Sequence, residues 1–495
     1  MIEKTKPRSP KSEFLYQDLA QSLADNIRQG TYAPGEKLPS VRQSAKNFHV
    51  SVSTVVSAYY KLESMGYIES RPKSGFYVRS AAKLSFETPT RSQPEAKPSA
   101  VTGQEMVLNL VKAANDPNIL QFGAAVPDSN FLPIKLVSQA MKKVCHHQAD
   151  TISHYEFPPG NPELRRQIAR RMSGFGCDVS ADDIVITNGC QESLRLALRA
   201  CAEPGDIIAI ESPTFYGLLQ VINSLRMKAI EIPTDPNTGI SISALEMAID
   251  QWPIKACVTV PTFSNPLGFS MPDDHKRRLN VLLAERDIPL IEDDVYGELS
   301  HRHSRPKPLK AFDPYDNVIY CSSFSKTLSP GLRVGWVSSK RYYKQLEYLK
   351  YVSNLSTSSA AQLATLDILQ SGRYDLYLRR AGQQYAYAVD QLTSAIVRLF
   401  PPGTKVTRPE GGFVIWVELP YAIDTFELAN RLIPHGISIA PGRIFSTTDK
   451  YNHFFRLSCA LKWNRETELA ILKILHETEK LHQESQNPTP LRHSL

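Results

Sequence analysis

The sequence predicts an α/β protein in two unequal parts: a small winged helix-turn-helix head, then a large domain on a mostly parallel sheet. Three observations carry this. The 495-residue chain exceeds what one ordinary core holds. An apolar stripe of helical period and two closely spaced helix starts fill the first 80 residues. Beyond residue 105, short apolar runs alternate with amphipathic stretches, the pattern of strands and crossover helices.

In the head, Leu15, Leu19, Leu23 and Ile27 recur every four residues, which predicts an amphipathic helix over Phe14 to Gln29. Gly30 and Pro34-Gly35 end it. Ser40 is placed to cap a second helix running to about Phe48, and Gln43, three residues on, to complete a capping box. After a tight turn, Ser51 caps a third helix from Val52 to Met65, with Val55, Tyr59 and Leu62 on one face. Helix, turn, helix presents the last helix to a DNA major groove, so Ser51, Ser53 and Thr54 at its start are candidates for phosphate or base contacts. Tyr67 to Ser70 and Phe76 to Val78 read as a wing, with Arg71 and Lys73 in the turn between them. Charge agrees: residues 1–80 hold twelve Lys and Arg against seven Asp and Glu, most of the chain's net surplus of +7.

The stretches PGEKLPSVR, VSVSTV and GFYV resemble the N-terminal module of the GntR family. The resemblance implies a winged helix-turn-helix domain over 12–80 that binds double-stranded operator DNA, with Ser40 and Arg42 joining Ser51, Ser53, Thr54 and Lys73 at the interface. Many relatives carry Arg where this chain has Val52, so recognition is expected to lean on Arg42, the hydroxyl residues and the wing.

Residues 81–104 are rich in Pro, Ser, Thr, Lys and Glu without an apolar period, and read as a flexible, solvated linker. The large domain is expected over 105–482 and a disordered polar tail over 483–495. Its apolar runs are Ile184 to Thr187, Ile207 to Glu211, Ala256 to Val260, Pro289 to Glu292 and Val318 to Cys321. The last runs into Ser322-Ser323-Phe324-Ser325-Lys326, with Arg333 seven residues beyond the lysine. A lysine among small and hydroxyl residues just past a buried strand can be desolvated, which suits imine formation with an aldehyde. The other strand ends contribute Asn188-Gly189-Cys190-Gln191 at a helix start, Phe215, Asn265, and Asp293 with Tyr296. A glycine at a helix start offers free N–H groups to a phosphate, and strand ends pointing one way define one crevice.

Taken in order, these segments resemble fold type I pyridoxal-phosphate enzymes, the aminotransferase class I/II group. That resemblance implies a Schiff base between Lys326 and pyridoxal 5'-phosphate, Asp293 at the pyridine nitrogen, Asn265 and Tyr296 at the ring oxygen, and Phe215 on the ring face. It implies a phosphate cup of Gly189, Cys190, Gln191, Ser323, Ser325 and Arg333. Tyr155, in a stretch similar to the Y-x-x-x-x-G-x-x-x-LR motif, would reach the phosphate of a neighbouring subunit in a homodimer, and Arg456 would hold a substrate or effector carboxylate.

A GntR-type head, a linker and an aminotransferase-like body are the make-up of the MocR subfamily, which the chain resembles from end to end. This implies a regulator whose body senses the cofactor and a small amino compound. A catalytically active aminotransferase carrying a DNA-binding head is the alternative. The seven cysteines are scattered with no CxxC pair, against a disulfide framework and against a metal site. Without an apolar window of about 18 residues or an apolar run after the basic start, the chain is expected in the cytoplasm, away from membranes.

Overall fold

The structure is a computed structural model that describes residues 12–486 except 29, 30, 34, 65, 66, 72, 73, 79–86, 102, 103 and 303. The chain divides into two units, Met1–Ser85 and Phe86–Leu495.

In the first unit, helices Ser12–Arg28, Val41–Asn47 and Val52–Ser64 precede the antiparallel strands Ile68–Arg71 and Gly75–Val78. The expected stripe is the core: Leu19 and Leu23 meet Val55, Tyr59 and Leu62. Ser40 caps the second helix, its Oγ accepting from the N–H of Gln43 at 3.3 Å. The capping box does not close, because the Gln43 amide turns along its own helix and donates to Asn47 Oδ1 at 3.1 Å. A buried hydroxyl pair joins the second and third helices. Tyr59 donates its one phenolic hydrogen to the carbonyl of Pro39 at 2.8 Å, so the Ser44 hydroxyl, 2.7 Å away, donates to Tyr59. In the wing the Arg71 guanidinium stacks over the Tyr77 ring at 4.3 Å. Lys73 lies outside the described residues.

The second unit is built on an eight-stranded sheet. Its strands run in the order Ile184–Thr187, Gly335–Ser338, Val318–Ser323, Leu290–Asp293, Ile254–Thr259, Ile207–Ser212, Lys228–Asp235, Gly239–Ile240. Gly335–Ser338 is antiparallel to both neighbours and Gly239–Ile240 to its one neighbour; the remaining pairs are parallel. Uniformly buried strands such as Ile207–Ser212 follow from helices on both faces. A four-stranded antiparallel sheet, Lys405–Val406, Val414–Glu418, Phe454–Ser458 and Ala440–Pro441, packs with the long helices Arg373–Leu399 and Arg465–Gln486 around a second core.

Two expectations about the edges of this unit are corrected. Residues 87–101, expected to be solvated linker, lie on the body. Thr90 donates through its N–H and hydroxyl to Glu418 at 2.6 and 2.8 Å, Ser92 accepts from the N–H of Thr234 at 2.9 Å, and Ser99 pairs with Ala229 at the sheet edge. A polar segment reads as solvated in sequence, yet its polar groups satisfy an open strand edge and the buried Glu418 carboxylate. Residues 483–486, expected in a disordered tail, complete the helix Arg465–Gln486; the rest of that expected tail lies outside the described residues. Among the described residues no helix is long and apolar enough to cross a membrane.

Candidate functional site

Because the central strands run parallel, Thr187, Ser212, Thr259 and Asp293 end at the same edge of the sheet, where loops from different strands converge. A cavity of about 210 Å³ opens there. Of the residues singled out in the sequence, Cys190, Gln191, Phe215, Asn265 and Asp293 line it, as do Tyr296, Ser323, Ser325, Lys326 and Arg333.

The Lys326 side chain reaches into this space, and its Nζ donates to the backbone carbonyl of Ala125 at 2.7 Å. Burial, then the charges of Arg456 and Arg333, brings the amine down to about 8, with Asp293 working the other way. A carbonyl acceptor leaves the nitrogen uncommitted to any carboxylate, so the free amine is accessible near neutral pH.

Asp293 ends its strand within a run of three acids, Glu292, Asp293 and Asp294, and the alternation of strand side chains sorts them. On one side Glu292 accepts the N–H groups of Leu309 and Lys310 at 2.7 and 2.8 Å. Asp294 accepts from Arg305 and from the Tyr320 hydroxyl, both at 2.6 Å. Asp293 faces the other way, into the cavity. Burial pushes it up to about 6, against which the Cys190 thiol, 3.3 Å from its Oδ1, lowers it.

The helix Cys190–Cys201 begins at the cavity with Gly189 as its N-cap, at φ +90°. With no side chain there to cap it, the first-turn N–H groups of Cys190 and Gln191 and the positive end of the helix are left for an anion. Arg333, itself left-handed at φ +53°, lays its guanidinium against Gly189 and donates to Asn188 O at 2.7 Å and to Ser325 Oγ at 3.2 Å. Any Cβ on residue 189 would collide with it. Phe215 precedes the helix Tyr216–Ser224, and Gly217 leaves room for its ring.

Across the cavity Asn265 Nδ2 donates to the Tyr296 hydroxyl at 3.5 Å, and burial holds that phenol above its ordinary range. Asn265 Oδ1 accepts from Arg456 at 3.2 Å. Arg456, on the strand Phe454–Ser458, is fully buried and also donates to Gly123 O, while its Nε has no hydrogen-bond partner.

Tyr155 is not among the cavity residues: it is 67% exposed, its ring beside Phe157 at 5.4 Å. In the head, Ser51 Oγ accepts the N–H of Thr54 at 3.1 Å and contacts the hydroxyls of Ser53 and Thr54, so one small cluster heads the third helix. Ser40, Arg42, Ser51 and Ser53 are exposed and Thr54 half-buried. Sequence reasoning passed over Ala125, Val126 and Tyr216, which line the cavity, and gave Asp294 no role. Tyr216 adjoins Phe215 in the same strand-end motif and was within reach of that signal. Ala125 contributes a carbonyl, which no side-chain pattern reports.

Residues 117–474 match the family described as aminotransferase class I and II, and residues 15–78 match the gntR family of bacterial regulatory proteins. The chain is 41% identical, over 93% of its length and 97% of the relative, to the Escherichia coli K12 protein described as uncharacterized HTH-type transcriptional regulator YjiR. This chain belongs to the MocR family.

The MocR chain accordingly joins a GntR DNA-binding head to a fold type I aminotransferase body. Its body is similar to the crystal structure of Pyrococcus horikoshii kynurenine aminotransferase in complex with PMP, at 29% identity and TM-score 0.70, covering 78% of this chain and 95% of that one. It is likewise similar to LysN, the α-aminoadipate aminotransferase of Thermus thermophilus, solved with N-(5'-phosphopyridoxyl)-L-leucine. There the identity is 25% and the TM-score 0.70, covering 77% of this chain and 96% of that one.

Proposed function

We propose that this MocR protein is a homodimeric cytoplasmic transcription regulator that holds pyridoxal 5'-phosphate in the cavity of its body. It reads a small amino compound there and binds operator DNA with its head. The observation that carries the reading is the meeting of Lys326 and Asp293 in one cavity with an uncapped helix start, in a chain that also has a GntR head.

The residues present fit the cofactor. When bound, pyridoxal phosphate supplies an aldehyde and an electron-withdrawing pyridinium ring. Lys326 offers the amine that the aldehyde takes up, and Asp293 holds a proton at the pyridine nitrogen. The N–H groups of Cys190 and Gln191, with Gly189, Ser323, Ser325 and Arg333, receive the phosphate dianion. Asn265 and Tyr296 meet the ring oxygen, and Phe215 covers a ring face. Arg456 receives the carboxylate of the amino compound; its unpartnered Nε and its planar fork suit that ligand. Tyr155 serves a neighbouring copy's site in the dimer; its exposure beside the exposed Phe157, which adjoins the exposed Tyr351, supports that reading.

In the head, Arg42, Ser40 and the Ser51, Ser53, Thr54 cluster take phosphates and base edges, with Lys73 in the wing. Val52, half exposed among them, suits an apolar contact such as a thymine methyl. An amino compound shifts DNA binding only through unequal affinity for the chain's conformations.

A second reading, an active aminotransferase carrying a DNA-binding head, is favoured by the intact set of Lys326, Asp293 and Arg456 and by the likeness to solved aminotransferases. One preparation separates the two. Footprinting upstream of the chain's own gene, with and without pyridoxal phosphate, tests the regulator: protection that changes with cofactor supports it. Steady transamination of common amino acids with 2-oxo acids, without such protection, supports the enzyme.

A further inference from the structure

Cys190 stands out among the thiols of this chain. Cys257, Cys321 and Cys459 are buried in apolar cores, and Cys201 donates to the carbonyl of Ala197 in its own helix at 3.2 Å. Cys190, buried at the first turn of the helix Cys190–Cys201, instead points its Sγ at Asp293 Oδ1, 3.3 Å away, and both side chains line the cavity. The sequence assigns Cys190 only a backbone role in receiving phosphate. Its side chain has a separate one.

We propose that Cys190 is a positioning residue for the cofactor: its thiol occupies one oxygen of Asp293 and fixes the carboxylate in rotation, leaving the other oxygen for the pyridine nitrogen. This rests on the cavity being the pyridoxal-phosphate site. A carboxylate on a short side chain rotates readily about its last bond, and a donor on one oxygen removes that freedom at the point where a planar ring must be met edge-on. The same donor favours the ionised carboxylate in a setting where burial disfavours it. The backbone N–H of Val295 also bonds Asp293 and favours its ionised form, and Cys190 adds a side-chain donor to that main-chain one. Glu211 and Asp294 are carboxylic acids, whose negative charge only disfavours its ionisation, and burial keeps the Tyr296 phenol and the Cys321 thiol protonated and uncharged. Lys326, the opposite charge, hands its amine to the cofactor on binding.

The test is a pyridoxal-phosphate titration of the full-length chain, stripped of cofactor and followed by absorbance of the bound form, from about pH 6 to about pH 8. Cys190→Val removes the donor at similar volume and Cys190→Ser restores a donor. The expected result is an affinity about tenfold weaker for Cys190→Val, with the loss greatest at the acid end, where Asp293 protonates first, and a return to wild-type affinity in Cys190→Ser. If Cys190→Val does not fold, Cys190→Ala set against Cys190→Ser makes the same comparison. Wild-type affinity in the donor-less variant, or a serine variant as weak as it, overturns the inference while leaving the cofactor site standing. A wild-type chain that takes up no pyridoxal phosphate overturns the cofactor site and this inference together.

Discussion

The guanidinium of Arg333 occupies the space that a Cβ on Gly189 would need. Two residues 144 positions apart in the chain, counted from 189 to 333, are thereby fitted to one another at the floor of the proposed phosphate cup. Gly189→Ala would strain a backbone at φ +90° and displace the guanidinium from Asn188 and Ser325. The expected outcome is a loss of about 1–3 kcal/mol in stability and at least about tenfold in pyridoxal-phosphate affinity. Thermal denaturation and cofactor titration measure the two, and an alanine variant that holds the cofactor as wild type does would remove Arg333 from the cup.

Cofactor uptake should depend on pH through Lys326. Burial and the neighbouring arginines lower its amine to about 8, so the neutral, nucleophilic form gains as pH rises through that value and is nearly complete a unit above it. Uptake by the cofactor-free chain should therefore be about tenfold slower at pH 7 than at pH 9. Rapid-mixing absorbance measures this. A rate still climbing steeply above pH 9 would mean an amine with its ordinary affinity for protons.

What the sequence made legible was the set of strand-end motifs, because each packs its chemistry into a few neighbouring residues. Lys326 and Arg333, Asp293 and Tyr296, and Cys190 line one cavity for that reason, with Gly189 as N-cap of the helix that begins there. Strands such as Ile207–Ser212 and Val318–Ser323 were legible as apolar runs, but Lys228–Asp235, whose apolar residues are interrupted by Glu231, Pro233 and Thr234, and Gly335–Ser338 were not. The latter is antiparallel, only four residues long, and inserted between Val318–Ser323, just before it in the chain, and the distant Ile184–Thr187. The packing of residues 87–101 was hidden because polar side chains look alike in sequence whether they meet water or Glu418. Val126 and Ala125 were missed because long-range folding alone brings them to Lys326.

Arg456→Lys should separate cofactor from amino compound. The substitution keeps a positive charge but gives up the planar fork. It should also cost about 1–3 kcal/mol, since one ammonium nitrogen would replace the two guanidinium nitrogens that separately reach Asn265 Oδ1 and Gly123 O. The bound cofactor's spectrum should persist, while the amino acid concentration needed to perturb it rises at least about tenfold. An unchanged response would place the carboxylate elsewhere.

In the head, Tyr59→Phe leaves the Ser44 hydroxyl without its acceptor and Pro39 O without its donor. The expected cost is about 1–3 kcal/mol, seen as an earlier unfolding transition of the head and weaker DNA binding that salt does not restore. Cofactor titration of the same variant should match wild type. An unchanged head transition would show that the hydroxyl pair adds nothing to the joint between its second and third helices.

Coupling between the cofactor site and the DNA-binding head of one chain is measured by fluorescence anisotropy. Labelled DNA from upstream of the chain's own gene is titrated with wild type and Lys326→Ala, each with and without pyridoxal phosphate and an amino acid mixture, at fixed salt. Both proteins should bind the DNA, and the ligands should shift the affinity of wild type alone. Equal shifts in the two proteins, or no shift in either, would mean that the site and the head are not coupled.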